Sequence, residues 1–335
     1  MRGQLQINEA AGRGLRMNTI SRRAGAVTAP AHKMNRKRIR RFIPVYLIML
    51  PGLIYLFINN YMPMPGLIVA FKQYNIKKGI YGSAWVGLKN FEYLFKTSDA
   101  FVITRNTILY NLAFIVVNTF MAIMVAIILS ELYGKAKNFY QSAILLPNLI
   151  SSVIIGYLVF AFFSVENGFI NNSILPLFHH EAVDWYSEPK YWPFIIIFIS
   201  AWKSVGYNCI IYLSSIMGID RSIYESASID GASKWQQIKF LTLPLLKPTI
   251  IMLTLMAIGR IFYSDFGMFY QVPMNQGALY STTNTIDTYV YRGLIQIGNI
   301  SMSAAAGVYQ SVVGFVLVLL ANLAVRKFDK ENALI

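Results

Sequence analysis

The chain has 335 residues, 56% of them hydrophobic and only 13% charged, roughly half the charged share of a soluble globular domain. Its mean hydropathy is +0.47, and one cysteine, Cys209, excludes both an intrachain disulfide framework and a cysteine-based zinc site. The net charge of +15 invites a nucleic-acid reading, but residues 1–41 alone hold eleven Lys and Arg against one acid, Glu9, the pattern of a cytoplasmic anchor beside a membrane span.

In chain order, residues 1–41 come first: a basic tail too poor in apolar residues to fold, expected to be disordered. Its Arg-rich, nearly acid-free composition also fits an organellar transit peptide, but nothing else in the chain looks organellar. No cleavable signal is expected, because the first apolar run is long enough to stay in the membrane. Six apolar runs then reach spanning length: Phe42–Asn60, Thr107–Leu129, Phe139–Phe163, Pro193–Met217, Pro248–Gln271 and Ala304–Val325. Pro51-Gly52 is expected to kink the first. The expected fold is therefore all-α, a polytopic bundle of six spans over 42–327 with a short tail at 328–335.

Basic residues orient it. With the N-terminus inside, the inner segments hold 20 Lys and Arg and the outer loops 8, so both termini are expected in the cytoplasm. The first outer loop, with Lys72, Lys77 and Lys78, dissents, but long loops cross regardless of charge. Within it "YGSAWVGLKNFEYLF" (81–95) has apolar residues at helical spacing, which predicts a surface helix. In the sixth span Gly307, Ser311 and Gly314 form a small-residue stripe, read as intrachain packing.

Residues 219–247 form the one long polar stretch in the second half of the chain with helical spacing. Ser222 and Glu225 have the spacing of a capping box, and Ser233 with Gln236 repeats it. Asp230-Gly231 supplies a stop between them, Gly231 being free to turn left-handed. The prediction is a hairpin of two helices of about ten residues each, with Pro244 closing the second and Pro248 opening the next span. Ile223, Ala227, Ile229, Trp235, Ile238 and Leu241 would form one apolar face, resting either on the chain's own spans or in a groove of a cytoplasmic partner.

These residues carry a resemblance. Glu225-Ser226-Ala227, three residues, Gly231, nine residues, then Leu241-Thr242-Leu243-Pro244 resembles the EAA motif of the membrane subunits of bacterial ABC importers. The departures, Ser226 for Ala and Leu241 for Ile, are mild. "GLIVAFKQYN", "GSAWVGLKNFEYLF", "TYVYRGL" and "LVLLANLAVRK" are similar to the oligo- or polysaccharide permease branch, so the likeness covers most of 42–327 and leaves 1–41 outside. The resemblance implies a coupling hairpin seated in an ATPase subunit. Glu225 would be the polar contact, Ala227 and Gly231 would permit close approach and the turn, and Leu243 and Pro244 would close the motif. It also implies a second, related permease, two ATPase subunits that bind ATP and Mg²⁺, an extracytoplasmic solute-binding protein and a place in the bacterial inner membrane.

The chain itself has no G-x-x-x-x-G-K-[ST] phosphate-binding loop. "SDFG" at 264–267 lacks every companion of a kinase Mg²⁺ motif and is coincidence. His179-His180-Glu181 lacks a second ligand set, so a metal is not expected. No catalytic constellation appears among or beside the spans.

Three charges fall inside spans: Lys203, Arg260 and Asp265. Each costs about 2.5–3.5 kcal/mol at a bilayer centre, so each should face a partner or a wet cavity. On a continuous helix Arg260 and Asp265 would not share a face; Arg260 would lie with Tyr263, Ser264 and Gly267, and Lys203 with Gly206 and Tyr207, beside Trp202. Two readings stay open: interhelical ion pairs, or a translocation path in which Lys203, Arg260, Tyr207, Tyr263, Trp202 and Asp265 meet an oligosaccharide. Two cations against one acid favour an acidic sugar, alginate- or pectin-like. The rival classes are a secondary transporter working without ATPase subunits and an integral-membrane enzyme.

Overall fold

A computed structural model describes residues 36–328. The basic tail up to residue 35 and the last seven residues, both singled out from the sequence, lie outside the described residues. The chain divides into two compact units, one ending at Met62 and the other beginning at Pro63. The first unit contributes helix α1 (Arg36–Leu56), which runs through both Pro44 and Pro51. It then widens into a π-turn at Phe57–Tyr61. The helix is continuous through Pro51-Gly52, where a kink was expected.

In the second unit a two-stranded ribbon, β1 (Lys72–Gln73) against β2 (Ala84–Trp85), precedes helix α2 (Lys89–Lys96). The expected surface helix over 81–95 is thus broken: residues 81–82 end a single helical turn, Gly79–Gly82, and helix resumes only at Lys89. Long helices follow: α3 (Asp99–Ser130), α4 (Gly134–Leu149), α5 (Ser152–Phe163), α6 (Trp192–Met217), α7 (Arg221–Ile229), α8 (Lys234–Ile258), α9 (Phe266–Gln271), α10 (Ile286–Ile295) and α11 (Ile300–Phe328). Among the described residues five helical segments are long and apolar enough to cross a membrane, and α4 with α5 makes a sixth if the bent pair is one span.

Two spans differ from expectation, and for the same reason. The third, read as continuous over Phe139–Phe163, bends by 94° between α4 and α5. Ile150 and Ser151 are extended there, and Ser151 Oγ accepts the Ile154 N–H as the cap of α5. The fifth, read as Pro248–Gln271, stops at Ile258, and residues 259–265 form an irregular turn before α9. The Asp265 side chain caps α9 by accepting the Met268 N–H at 3.1 Å. Arg260 and Asp265 therefore sit on no common helix, and the predicted sharing of one face by Arg260, Tyr263, Ser264 and Gly267 does not occur.

Broken backbone at such a depth is tolerated only where its polar groups find protein partners. Here they do. Asn111 of α3 donates to the carbonyls of Ile261 (3.0 Å) and Tyr263 (3.1 Å), and Gln310 of α11 donates to that of Phe262 (2.8 Å). Asp287 lies in the first turn of α10. Its carboxylate accepts from the Ser264 N–H (2.6 Å), the Ser264 hydroxyl (2.7 Å) and the Gln310 amide (3.1 Å).

Three apolar clusters hold the unit. Ala122, Ala126 and Leu129 of α3 meet Cys209, Tyr212, Leu213 and Ile216 of α6 and Leu246 of α8. At the other end of α3, Ile103 packs with Leu94, Phe262, Ile286, Met302 and Ala306. The third cluster joins Tyr110, Ile155, Val159, Trp192, Ile196 and Phe269. Cys209 is buried. Of the small-residue stripe, Gly314 packs within the chain, where an added Cβ would meet Phe262 at 3.4 Å. Gly307 has open space beside it and Ser311 is exposed, so the expected intrachain packing holds only at Gly314.

The closest approach is at Gly206 of α6. A Cβ there would lie 1.9 Å from the carbonyl oxygen of Ile144 in α4. Backbone cannot yield as a side-chain tip does. Gly206→Ala is therefore expected to destabilise the protein by about 3 kcal/mol, the upper end of overpacking costs. The check is a melting curve in neutral-lipid nanodiscs: an unshifted midpoint would show that the helices slide apart freely.

Candidate functional site

Two places concentrate the residues singled out above. The first is where the broken third and fifth spans meet α6. Lys203 sits one turn from Gly206, so the close approach to α4 fixes its backbone beside the break. Its carbonyl accepts from Asn148 at 3.4 Å. Its ammonium donates to Ser152 Oγ at 3.1 Å and lies 3.9 Å from Asp265 Oδ2. Gly267 lets α9 approach, since a Cβ there would sit 2.8 Å from Ser152 Oγ. One cation thus bridges the first residue of α5 and the cap of α9.

The pair is uneven: the Lys203 side chain is 17% exposed and that of Asp265 45%. Trp202, Tyr207 and Tyr263, neighbours of the pair in sequence, are exposed, and Arg260, in the turn after α8, is exposed as well. The structure brings Lys203 and Asp265 together, as the ion-pair reading expected, while leaving the aromatic rings and Arg260 open. Both sequence readings therefore keep a physical basis. A weak, half-wet pair beside exposed aromatic and hydroxyl groups can release its lysine to a passing anion at little cost.

The second place is the hairpin of α7 and α8. Its first cap differs from expectation: Asp220, not Ser222, accepts the Ser222 N–H at 3.0 Å, which also holds the Asp220 carboxyl below its ordinary value. The expected Ser222–Glu225 box is therefore absent, because Ser222 is already inside the helix. The second box is present, with Ser233 and Gln236 capping each other. Between them Gly231 has φ +81° with nothing near its Cα face, and the Ala232 N–H returns to Ala227 O at 2.9 Å.

Pro244 does not close the second arm. The helix instead widens at Ile238–Thr242, the Leu243 N–H reaching back to Ile238 O, and continues to Ile258. A proline has no N–H to place in the ladder, and the wide turn absorbs both that gap and the steric demand of its ring. Polar bonds brace the two arms: Gln237 Nε2 donates to Ser228 Oγ (2.9 Å), and Tyr224 and Thr242 share a hydroxyl bond (2.9 Å). Lys234 pairs with Glu131 at 3.0 Å, tying the hairpin to the end of α3.

The hairpin's apolar face is only partly covered: Ala227, Ile238 and Leu241 are half-buried and Ile223 is exposed. Ile229 is 86% and Trp235 70% exposed, and Phe240 is exposed beside them. Ala227, Gly231, Gln236, Phe240 and Leu241 line a concavity of about 310 Å³. Glu225 and Pro244 are exposed, and Leu243 borders on exposure. The braced hairpin thus presents an exposed apolar patch with an unburied tryptophan and isoleucine.

Several participants escaped sequence reading. Ser152, Asn111, Gln310 and Asp287 hold the two breaks, and their signal was polar amides and an acid amid apolar runs. Arg292, counted only as a loop charge, is 8% exposed. It stacks on Tyr280 at 4.1 Å and donates to Asn275 (2.9 Å), Thr288 (3.2 Å) and the Asn284 side chain, bracing the segment between α9 and α10.

Residues 100–330 match the model of the family described as binding-protein-dependent transport system inner membrane component. The polygalacturonan/rhamnogalacturonan transport system permease protein YteP of Bacillus subtilis (strain 168) is 34% identical over 94% of this chain and 99% of its own. The lactose transport system permease protein LacF of Rhizobium radiobacter is 32% identical over 64% of this chain and 72% of its own. In three dimensions the chain is similar to one from the crystal structure of a bacterial ABC transporter involved in the import of the acidic polysaccharide alginate. That match has a TM-score of 0.79 and 33% identity, and covers 88% of this chain and 98% of the other. A second such structure, of the alginate transporter with an alginate pentasaccharide-bound periplasmic protein, matches with a TM-score of 0.78 and 34% identity.

Proposed function

The chain belongs to the family of binding-protein-dependent transport system inner membrane components, and on that premise we propose that it is one membrane-spanning subunit of an ATP-driven importer of acidic oligosaccharides. Both termini and the hairpin face the cytoplasm. Lys203, Arg260, Trp202, Tyr207, Tyr263 and Asp265 line half of the path, the other half coming from a related permease. Two ATPase subunits bind ATP and Mg²⁺, and a solute-binding protein delivers the sugar from outside.

The observation that carries this reading is the exposed apolar knob on a braced hairpin. Glu225, Ala227, Gly231, Leu243 and Pro244 surround it, and an ATPase groove is the partner their motif resembles. Nucleotide that binds better when the ATPase pair is closed draws the hairpins together and shifts the spans between inward- and outward-open states. An acidic cargo is supported by Lys203 and Arg260 beside exposed aromatic rings, and by the pectin- and alginate-related proteins to which the chain is similar.

The test is reconstitution. The chain with its second permease, ATPase and binding protein in proteoliposomes is expected to accumulate uronic-acid oligomers only when ATP and Mg²⁺ are supplied to the ATPase side. Uptake by the lone chain, driven by an ion gradient, would overturn the reading in favour of a secondary transporter.

A further inference from the structure

A concavity of about 910 Å³ shares no lining residue with either place described above. It is formed by residues 73–77, 86, 89, 90 and 297–302, at the end of the bundle where α3 and α11 begin. The hairpin lies where α3 ends, about 48 Å away along a helix of 32 residues. In the proposed orientation the cleft therefore faces outward.

Its chemistry is one-sided. Lys77 and Lys89 line it, with the amides of Gln73, Asn75, Asn90 and Asn299, and no Asp or Glu is among its lining residues. Both lysines are exposed, and neither forms an ion pair among the described residues. Two apolar side chains, Ile76 and Ile297, stand exposed at its edges.

The walls are also built to keep their shape. Asn90 Nδ2 donates to Ala70 O (2.8 Å) and Lys72 O (3.0 Å), closing the ribbon onto α2. The Tyr74 N–H donates to Ser301 Oγ at 2.9 Å, stitching the ribbon to the start of α11. Lys72, which would otherwise add a third free charge, spends its ammonium on the carbonyls of Ile80 and Tyr81, both at 3.0 Å. Phe71 stacks on Trp85 with ring centres 5.8 Å apart. A preformed cleft with two unpaired cations loses little ordering entropy on binding.

We propose that this cleft is a docking seat for an acidic projecting segment of the solute-binding protein, the partner required by the function inferred above. Carboxylates of that segment meet Lys77 and Lys89, the amides meet its backbone, and Ile76 and Ile297 bury apolar area at the edge. The volume exceeds what a single anionic group fills, and the amide lining suits a peptide better than a lipid headgroup. Complementary charge across such a contact accelerates encounter and makes it salt-dependent.

The importer complex in neutral-lipid nanodiscs provides the test. The probe is the purified binding protein that supports uptake by the wild-type complex, measured by biolayer interferometry. The Lys77→Glu/Lys89→Glu complex is expected to bind it about tenfold more weakly or worse, mainly through slower association, with a flatter salt dependence. Both side chains are exposed and unpaired, so its melting curve and its ATPase rate without binding protein are expected to be unchanged. Wild-type affinity in the charge-reversed complex overturns the proposal, as does a defect that appears only in anionic lipid, which would make the cleft a lipid site. If instead no binding protein stimulates the wild-type complex, the importer reading itself fails.

Discussion

Gly231→Pro is expected to strip the purified complex of its ATPase subunits while leaving the permease pair in the membrane. Gly231 holds φ at +81°, whereas proline is locked near −65°. The substitution also deletes the N–H that Gly231 donates to Ser228 O at 3.1 Å. The turn cannot survive both changes, and the exposed Ile229 and Trp235 lose their fixed spacing. Gly231→Ala is the graded control. Space exists for its Cβ, so the cost is the left-handed backbone alone, roughly 1–2 kcal/mol, enough for a several-fold weakening of ATPase retention. Glu225→Ala completes the set: the side chain is exposed, so its loss is expected to weaken the ATPase contact without unfolding the hairpin. A Gly231→Pro complex with a full complement of ATPase and normal ATP-driven uptake would falsify the coupling role.

The second large effect is expected at Lys203. Lys203→Met should reduce uptake of uronic-acid oligomers at least about tenfold, while ATPase activity stimulated by the binding protein persists; a tenfold change is 1.4 kcal/mol. The structural alternative predicts far less. The Lys203–Asp265 contact is 3.9 Å and its acid is 45% exposed, so as an ion pair it is worth about 0–1 kcal/mol. A tenfold transport defect in a complex with unchanged melting temperature therefore exceeds what packing alone explains. Arg260→Ala, in a turn where the side chain is exposed, is expected to deepen the defect. Neutral oligosaccharides, if carried at all, should be unaffected by either change. Undiminished uptake of acidic oligomers by the double variant would leave the two cations with a structural role only.

Much of this was legible because lipid-spanning length and apolarity are averaged quantities. The fourth and sixth spans were placed to within a few residues, as α6 and α11 carry uninterrupted apolar runs. The second was placed at its end but begins eight residues before Thr107, at Asp99. The same averaging hid the breaks. Pro147 and the Ser151-Ser152 pair, and then Gly259, Arg260, Ser264 and Asp265, are stop and cap signals, yet the apolar flanks outweighed them. The meeting of Lys203 with Ser152 and Asp265 depends on three separate elements folding together, and no local pattern encodes it. In the hairpin, Gly231 and the Ser233 box were readable because each acts within a single turn. Asp220 displaced Ser222 as cap because two residues of similar capping power stood in competition.

The widened turn at Ile238–Thr242 has a consequence for how the hairpin is aimed. It inserts one extra residue into an otherwise regular rod, and each residue of an α-helix rotates the chain by about 100°. Trp235 and Lys234 therefore point where they do, relative to Leu246 and Leu255, because of that single surplus residue. Deleting one position from this stretch would shorten the rod by only about 1.5 Å. It would nevertheless swing the Lys234 side away from Glu131 and turn the indole toward a different quarter of the compass, a dislocation of phase and not of length.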